Sequence, residues 1–300
     1  MTAVRLRNVT KRYGNFTALD DVSLDLEDNR IHGLLGRNGA GKTTIMSILT
    51  GQGFQTSGTA EVFGEAPYEN DHTLRKVCFI KESQKYPDNF TPRHAFAAAR
   101  LLYPGWDQPF ADELIAEFAL PIKRRIKKLS RGQLSAIGVI IGLAARAPLT
   151  FFDEPYLGLD AVARQVFYDR LLADYAENPR TIVLSTHLID EVSDLIEHVV
   201  LIDQGRVLLD EDSDLLRSRA VTVTGPVSAV EEFAKGHREL HREQLGGFLR
   251  VTLENVHTGQ SPTGLEFEPV SLQELVVRTT QQAAGGRQLV GATNGNGEKS

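Results

Sequence analysis

The sequence predicts an α/β fold with a mixed central sheet, followed by a smaller α+β domain, and three observations carry that prediction. The runs Ile31–Leu35, Leu149–Phe152 and Thr181–Leu184 are apolar without alternation, as suits strands of a parallel sheet covered on both faces. Val4–Val9 and Val22–Leu26 alternate apolar and polar residues instead, the pattern of half-buried antiparallel strands. After Asp210 the chain changes character: Val221–Val223 reads as a strand, Ser228–Lys235 as a short helix, Phe248–Leu253 as an alternating strand and Ser271–Thr279 as a last helix.

The remaining elements follow in order. Gly36 closes the first buried strand and opens a glycine-rich loop, with a helix expected from about Lys42 to Thr50. Residues 92–120 read as mainly helical, with Leu114, Ile115 and Phe118 on one face. Helix, buried strand and helix then alternate from 130 to 200. The expected division is a first domain over 1–215 with a helical subdomain at about 92–145, an accessory α+β domain over 216–282, and a disordered tail over 283–300, rich in Gly, Asn and Ala.

Composition narrows the function. Hydrophobic residues make up 41% of the 300 and charged residues 24%, as in ordinary globular proteins. A net charge of −6 argues against nucleic acid as the main partner. The lone cysteine, Cys78, lies in Val77–Ile80 and reads as a small buried hydrophobe. The longest apolar stretch, Ile137–Ala145, soon meets Arg146 and is about half of a membrane span. The N-terminus lacks an apolar run of signal-peptide length. The expectation is a chain that does not itself cross a membrane.

The chemistry is concentrated in three segments. Gly36-Arg37-Asn38-Gly39-Ala40-Gly41-Lys42-Thr43, followed by Thr44, fits the phosphate-loop pattern G-x-x-x-x-G-K-[ST]. Its glycines let backbone N–H groups face phosphates, and the helix behind it points its positive end at them. Lys42 supplies a charge for the β and γ phosphates of ATP, and Thr43 a hydroxyl for Mg2+. Leu149–Glu154 reads as a buried strand ending in a carboxylate pair, with Asp153 placed for the metal shell and Glu154 to orient or deprotonate water. Leu129-Ser130-Arg131-Gly132-Gln133 opens a helix. Ser130 suits N-capping there, and the same parts would serve a second anion site.

This last segment resembles the signature motif of the ABC-type ATPases, with Arg131 where the commonest form has glycine. The resemblance covers about residues 4–210 in motif order: phosphate loop, signature, the Asp153-Glu154 strand, the D-loop Leu157-Gly158-Leu159-Asp160, and the switch histidine His187. It implies the family's cassette, a P-loop NTPase fold with an antiparallel β subdomain and a helical subdomain. It further implies Tyr13 as the aromatic on adenine, His187 at the γ-phosphate, and nucleotide contacts from Ser130, Gly132, Gln133 and Asp160. One motif departs from the pattern. Where the family has a glutamine touching Mg2+ and the attacking water, the chain reads Lys81-Glu82-Ser83-Gln84. Either Glu82 or Gln84 fits, and Gln84 has the right side chain.

The resemblance implies pairing, with a copy or a sister ATPase, because each ATP lies between one chain's phosphate loop and the other's signature. It also implies a separate transmembrane permease subunit, met at the helical subdomain, and a cytoplasmic place at the inner face of the plasma membrane. The stretch from Asp153 to Asp160, residues 181–191 and Ser271–Leu275 are similar to exporter-type ATPases of drug and antibiotic resistance. The alternative is a soluble ABC-type ATPase with no membrane partner. Translation-control members typically carry two cassettes per chain, and chromosome or repair ATPases carry heptad arms.

Overall fold

The computed structural model describes residues 1–82, 84–254 and 264–280. The expected tail over 283–300 lies outside them. The chain divides into two units. One holds Met1–Leu188 with Asp194–Asp210, and the other holds Ile189–Ser193 with the residues from Glu211 on. The expected boundary at 215/216 stands a few residues later than this division. The strand Arg206–Asp212 crosses this division.

Two sheets frame the first unit. The strands Phe16–Glu27, Thr2–Tyr13 and Ser57–Val62 form an antiparallel sheet in that spatial order. The alternation read at Val4–Val9 belongs to a longer strand that starts at Thr2. Val4 pairs with Leu26 and Val62, and Leu6 with Leu24 and Ala60. These side chains bury one face of the sheet against Ile45, Met46, Ile48 and Leu49 of the helix Lys42–Leu49 and against Phe151, Val183 and Val200 of the second sheet.

The second sheet has the order Val77–Ile80, Leu149–Asp153, Thr181–Thr186, Ile31–Leu35, His198–Asp203, Arg206–Asp212. Its first five strands pair in parallel. All five residues of Leu149–Asp153 and all six of Thr181–Thr186 are buried, which is why these strands show no alternation. The register decides where the site lies. Leu35 stands beside Thr186 and Asp153 beside Ser185. The carboxyl ends of three strands are therefore level, so the residues after them open onto one ledge, the usual ligand edge of such sheets.

Helices Pro92–Leu102 and Gln108–Glu117 pack on Arg131–Ala144. Leu114 is fully buried there, while Ile115 and Phe118 are half-buried. Trp106 lies 6.3 Å from the Phe96 ring and donates to Gln108. Helix Arg131–Ala144 lies close on the sheet because Gly142 has no side chain. A Cβ there would stand 2.4 Å from the Phe152 ring. Cys78 is buried, and desolvation pushes its thiol up to about 12.

At the opposite end of the sheet, Arg180 and Arg146 each approach the Asp174 carboxylate to 2.7 Å, and Asp174 is 4% exposed. Removing one partner of a buried ion pair strands the other's charge. Asp174→Ala is expected to lower unfolding free energy by about 3–5 kcal/mol in a urea titration. A midpoint like that of the unmodified chain would show that water already screens this cluster.

The second unit carries an antiparallel sheet in the order Arg238–Leu245, Phe248–Glu254, Ala220–Pro226, Glu266–Pro269. Helix Val227–Ala234 covers one face, where Val223, Val230, Ala234, Leu249, Val251 and Leu253 form a core of their own. Residues 272–280 are helical. Strand Arg238–Leu245 has no sequence signature, because nearly all its residues are exposed on the sheet's edge and hence polar.

Candidate functional site

The phosphate loop leaves the strand Ile31–Leu35 and enters helix Lys42–Leu49 through Gly41, at φ 116°. A side chain at Gly41 would be strained in that conformation and would stand 2.8 Å from Leu19. No side chain caps this helix, so its first N–H groups keep their capacity for an anion. Lys42 Nζ donates to the carbonyls of Gly36 at 2.7 Å and Arg37 at 3.3 Å, which curls the loop around the ammonium. Lys42 is 6% exposed. Burial pulls its pKa below the ordinary lysine value, against Glu154 and Asp153, which hold the charge in place.

Thr43 Oγ1 donates to Asp153 Oδ2 at 3.0 Å, joining the loop to the strand Leu149–Asp153. A hydroxyl and a carboxylate oxygen this close suit a hard cation. Two protein oxygens are what Mg2+ takes when phosphates and water complete its shell. Among the described residues there is no cluster of three or more His, Cys, Asp or Glu able to hold a metal. The Thr43–Asp153 pair fits a metal brought with a triphosphate.

Glu154 follows at φ 50°, a left-handed conformation costly for a residue with a Cβ. Its N–H bonds the Ser185 carbonyl at 3.1 Å, and its own carbonyl accepts from Leu157 N–H at 3.1 Å. The strand thus ends and the chain turns within one residue. The carboxylate lies 3.8 Å from Lys42 Nζ and 2.9 Å from His187 Nδ1, and is 7% exposed. Burial raises its pKa, opposed by His187 and Lys42. A carboxylate held this way is suited to take a proton.

The two readings of the departing motif separate in space. Glu82 pairs with Arg131 at 3.0 Å. Gln84 is exposed and makes no bond to that arginine. Both line a cavity of about 290 Å3 together with Glu154, Pro155, Leu134 and Ser135. Among the described residues Glu82 is paired, and Gln84 has no side-chain hydrogen bond.

The signature residues are elsewhere. Ser130 accepts from Gln133 N–H at 3.2 Å, and Gln133 Oε1 accepts from Ser130 N–H at 3.2 Å, a reciprocal cap on helix Arg131–Ala144. Gly132 packs against Gly158, whose carbonyl would stand 2.6 Å from a Cβ there. Ser130 and Gln133 bond to each other and not to the phosphate loop of their own chain. Asp160 caps helix Ala161–Glu177, accepting from Ala163 N–H at 2.8 Å. Tyr13 ends its strand 55% exposed, with Lys11 Nζ 5.0 Å from the ring centroid. The paired strand continues from Phe16 to Ala18 and Leu19, against which Gly41 packs, so the hairpin borders the loop.

Two participants escape a reading by motif. Tyr156, between the carboxylates and the D-loop, sends its hydroxyl to Glu154 and lies 3.1 Å from His187 Nδ1. Arg131 and Glu82 are 49 positions apart, and nothing in the chain pairs them until it folds.

The chain is similar in sequence and fold to known proteins. The family model described as ABC transporter matches residues 19–157. The bacitracin transport ATP-binding protein BcrA of Bacillus licheniformis is 30% identical over 221 residues, 73% of this chain and 72% of that protein. Among solved structures, an ATP-binding subunit of an ABC transporter superposes with a TM-score of 0.65 at 23% identity, over 72% of this chain and 92% of that one. A dimeric ATP-binding cassette in a post-hydrolysis state with ADP and Pi gives a TM-score of 0.61 at 22% identity, over 70% and 98%. With its phosphate loop, carboxylate pair and signature helix set on this fold, the chain belongs to the ATP-binding subunits of ABC transporters, a family of ATPases.

Proposed function

We propose that this chain is the motor of an exporter: it binds and hydrolyses ATP and drives a separate transmembrane permease subunit from the inner face of the plasma membrane. One observation carries the reading. Lys42, Thr43, Asp153, Glu154 and His187 converge where three parallel strands end. The export direction rests on similarity to a bacitracin transport protein and to exporter-type sequence features.

In this reading Lys42 exchanges the Gly36 and Arg37 carbonyls for β- and γ-phosphate oxygens, while Gly36, Arg37, Asn38, Gly39, Ala40, Gly41 and Thr44 line the phosphates. Tyr13 faces adenine. Thr43, Asp153 and Gln84 would hold Mg2+, which when bound neutralises charge on the phosphate oxygens. Glu154 accepts the proton of the attacking water, and His187 meets the γ-phosphate. The rest of catalysis is alignment for in-line displacement.

Ser130, Gly132, Gln133 and Asp160 would complete the site of a second ATPase, a copy or a sister subunit. Their placement away from their own loop favours this, as does the likeness to a dimeric cassette. The γ-phosphate then stabilises the closed dimer and its loss releases it.

Purified in detergent from its native membrane, the chain should bring down an integral membrane protein that raises its ATP turnover. Recovery with ribosomes or DNA instead would overturn the transporter reading. In the same preparation Gln84→Ala should lower turnover by about tenfold, the scale of a misplaced reactant, and Glu82→Ala by much less. The reverse order would move the role to Glu82. Equal, negligible losses would leave the chain without a working equivalent of the family's glutamine.

A further inference from the structure

Tyr156 lies in the turn that follows Glu154 and is 2% exposed. Its hydroxyl is the meeting point of two strand ends. It donates to Glu154 Oε2, and accepts from Thr186 Oγ1 at 2.9 Å and from the His187 N–H at 3.3 Å. It also lies 3.1 Å from His187 Nδ1, which itself stands 2.9 Å from the same Glu154 oxygen. A phenol has one proton and two lone pairs. Thr186 and the His187 backbone fill the lone pairs, so the proton goes to Glu154. His187 Nδ1 is left to bond the carboxylate directly.

The other carboxylate oxygen differs. Glu154 Oε1 is buried, has no hydrogen-bond partner, and is 3.8 Å from Lys42 Nζ. An unpaired buried oxygen carries a desolvation cost that a native fold keeps only for a reason. Glu154 also lines the cavity shared with Gln84.

We infer that Tyr156 is a positioning residue for ATP hydrolysis: with His187 it occupies Glu154 Oε2, fixes the side chain and the imidazole relative to each other, and leaves Oε1 as the atom that accepts the proton of the attacking water. The inference rests on Glu154 being the base. Tyr156 touches neither nucleotide nor water in this scheme. It acts by removing freedom from the two groups that do, so its loss acts on turnover rather than on ATP affinity.

Tyr156→Phe in the full chain keeps the ring and deletes the hydroxyl. The expected result is a kcat lower by about 10- to 100-fold, the scale of an ångström-level misplacement, with KM for ATP within about twofold and a melting temperature lower by only a few degrees, the scale of the orphaned Thr186 and His187 donors. Thr186→Val, which removes the hydroxyl feeding Tyr156, should lower kcat in the same direction by less. In a His187→Ala background, Tyr156→Phe should cost about threefold or less, because residues acting through one contact are not additive. A Tyr156→Phe protein with unchanged kcat, a rise in KM matching the fall in kcat, or full additivity with His187→Ala would each overturn the inference. Glu154→Gln in the same assay separates the two levels. If it turns over normally, the base assignment is lost. If it is inactive while Tyr156→Phe is normal, only the role of Tyr156 is lost.

Discussion

Lys42→Ala is expected to abolish ATP binding and hydrolysis while the fold survives. Lys42 is nearly buried, held by two backbone carbonyls and faced by Glu154 and Asp153. Deleting one member of a buried charged contact with a phosphate costs about 2–5 kcal/mol, or about 30- to 4000-fold in Kd. The fold survives at a cost, because the equally buried Glu154 loses a counter-charge 3.8 Å away, and three features limit that cost. Burial already disfavours this charge, alanine is the best helix former, and helix Lys42–Leu49 is anchored by Ile45, Met46, Ile48 and Leu49. A thermal-shift titration with a slowly hydrolysed ATP analogue separates the two effects. At about 100 times the wild-type Kd the analogue stabilises the unmodified chain by about 2.7 kcal/mol. With Kd raised about 100-fold the gain falls to about 0.4 kcal/mol. A normal shift in Lys42→Ala would remove the phosphate-site assignment.

What could be read before folding was whatever lies contiguously in the chain. The loop from Gly36 to Thr43 holds its glycines, lysine and hydroxyl in one run, because its chemistry needs neighbouring backbone N–H groups. The buried strands were legible for a similar reason: a strand covered on both faces must be apolar throughout, as Thr181–Thr186 shows. The level ends of those strands were not legible. Bringing Asp153 beside Ser185, and Leu35 beside Thr186, is a matter of register between segments far apart.

The same limit hid the Tyr156 hydroxyl. It joins Glu154 to His187 across 33 positions, and a buried tyrosine has no pattern that marks its bonding. Arg131 read as a departure from the signature and Glu82 as a departure from the glutamine motif. Folding makes them partners of each other, so two local irregularities become one contact. Strand Arg238–Leu245 escaped because an exposed edge strand needs no apolar face. Sequence patterns record burial and local backbone demands well. They record side-chain bonds between distant segments only when those segments carry motifs of their own.

Glu154→Gln should retain ATP binding and lose turnover by about 100-fold or more, the scale of a general base. The substitution keeps length and volume, and the left-handed backbone at this position is borne as it is by glutamate. The amide oxygen can still accept from Tyr156 and His187, whose bonds both end on Oε2. The amide nitrogen then lies where Oε1 was, and a nitrogen that already carries two protons cannot take one from water. Lys42, Thr43 and Asp153 are untouched, so the nucleotide still binds. With hydrolysis blocked, the γ-phosphate contacts that favour the closed pair persist. Gel filtration should show a dimer in ATP and a monomer in ADP, and if a sister subunit is required, the dimer forms when that subunit is added. A Glu154→Gln protein that hydrolyses ATP at the normal rate would overturn the base assignment. One that never dimerises in ATP, even with its partner present, would leave the catalytic assignment standing and overturn the head-to-tail pairing, since Ser130 and Gln133 would then have no nucleotide to meet.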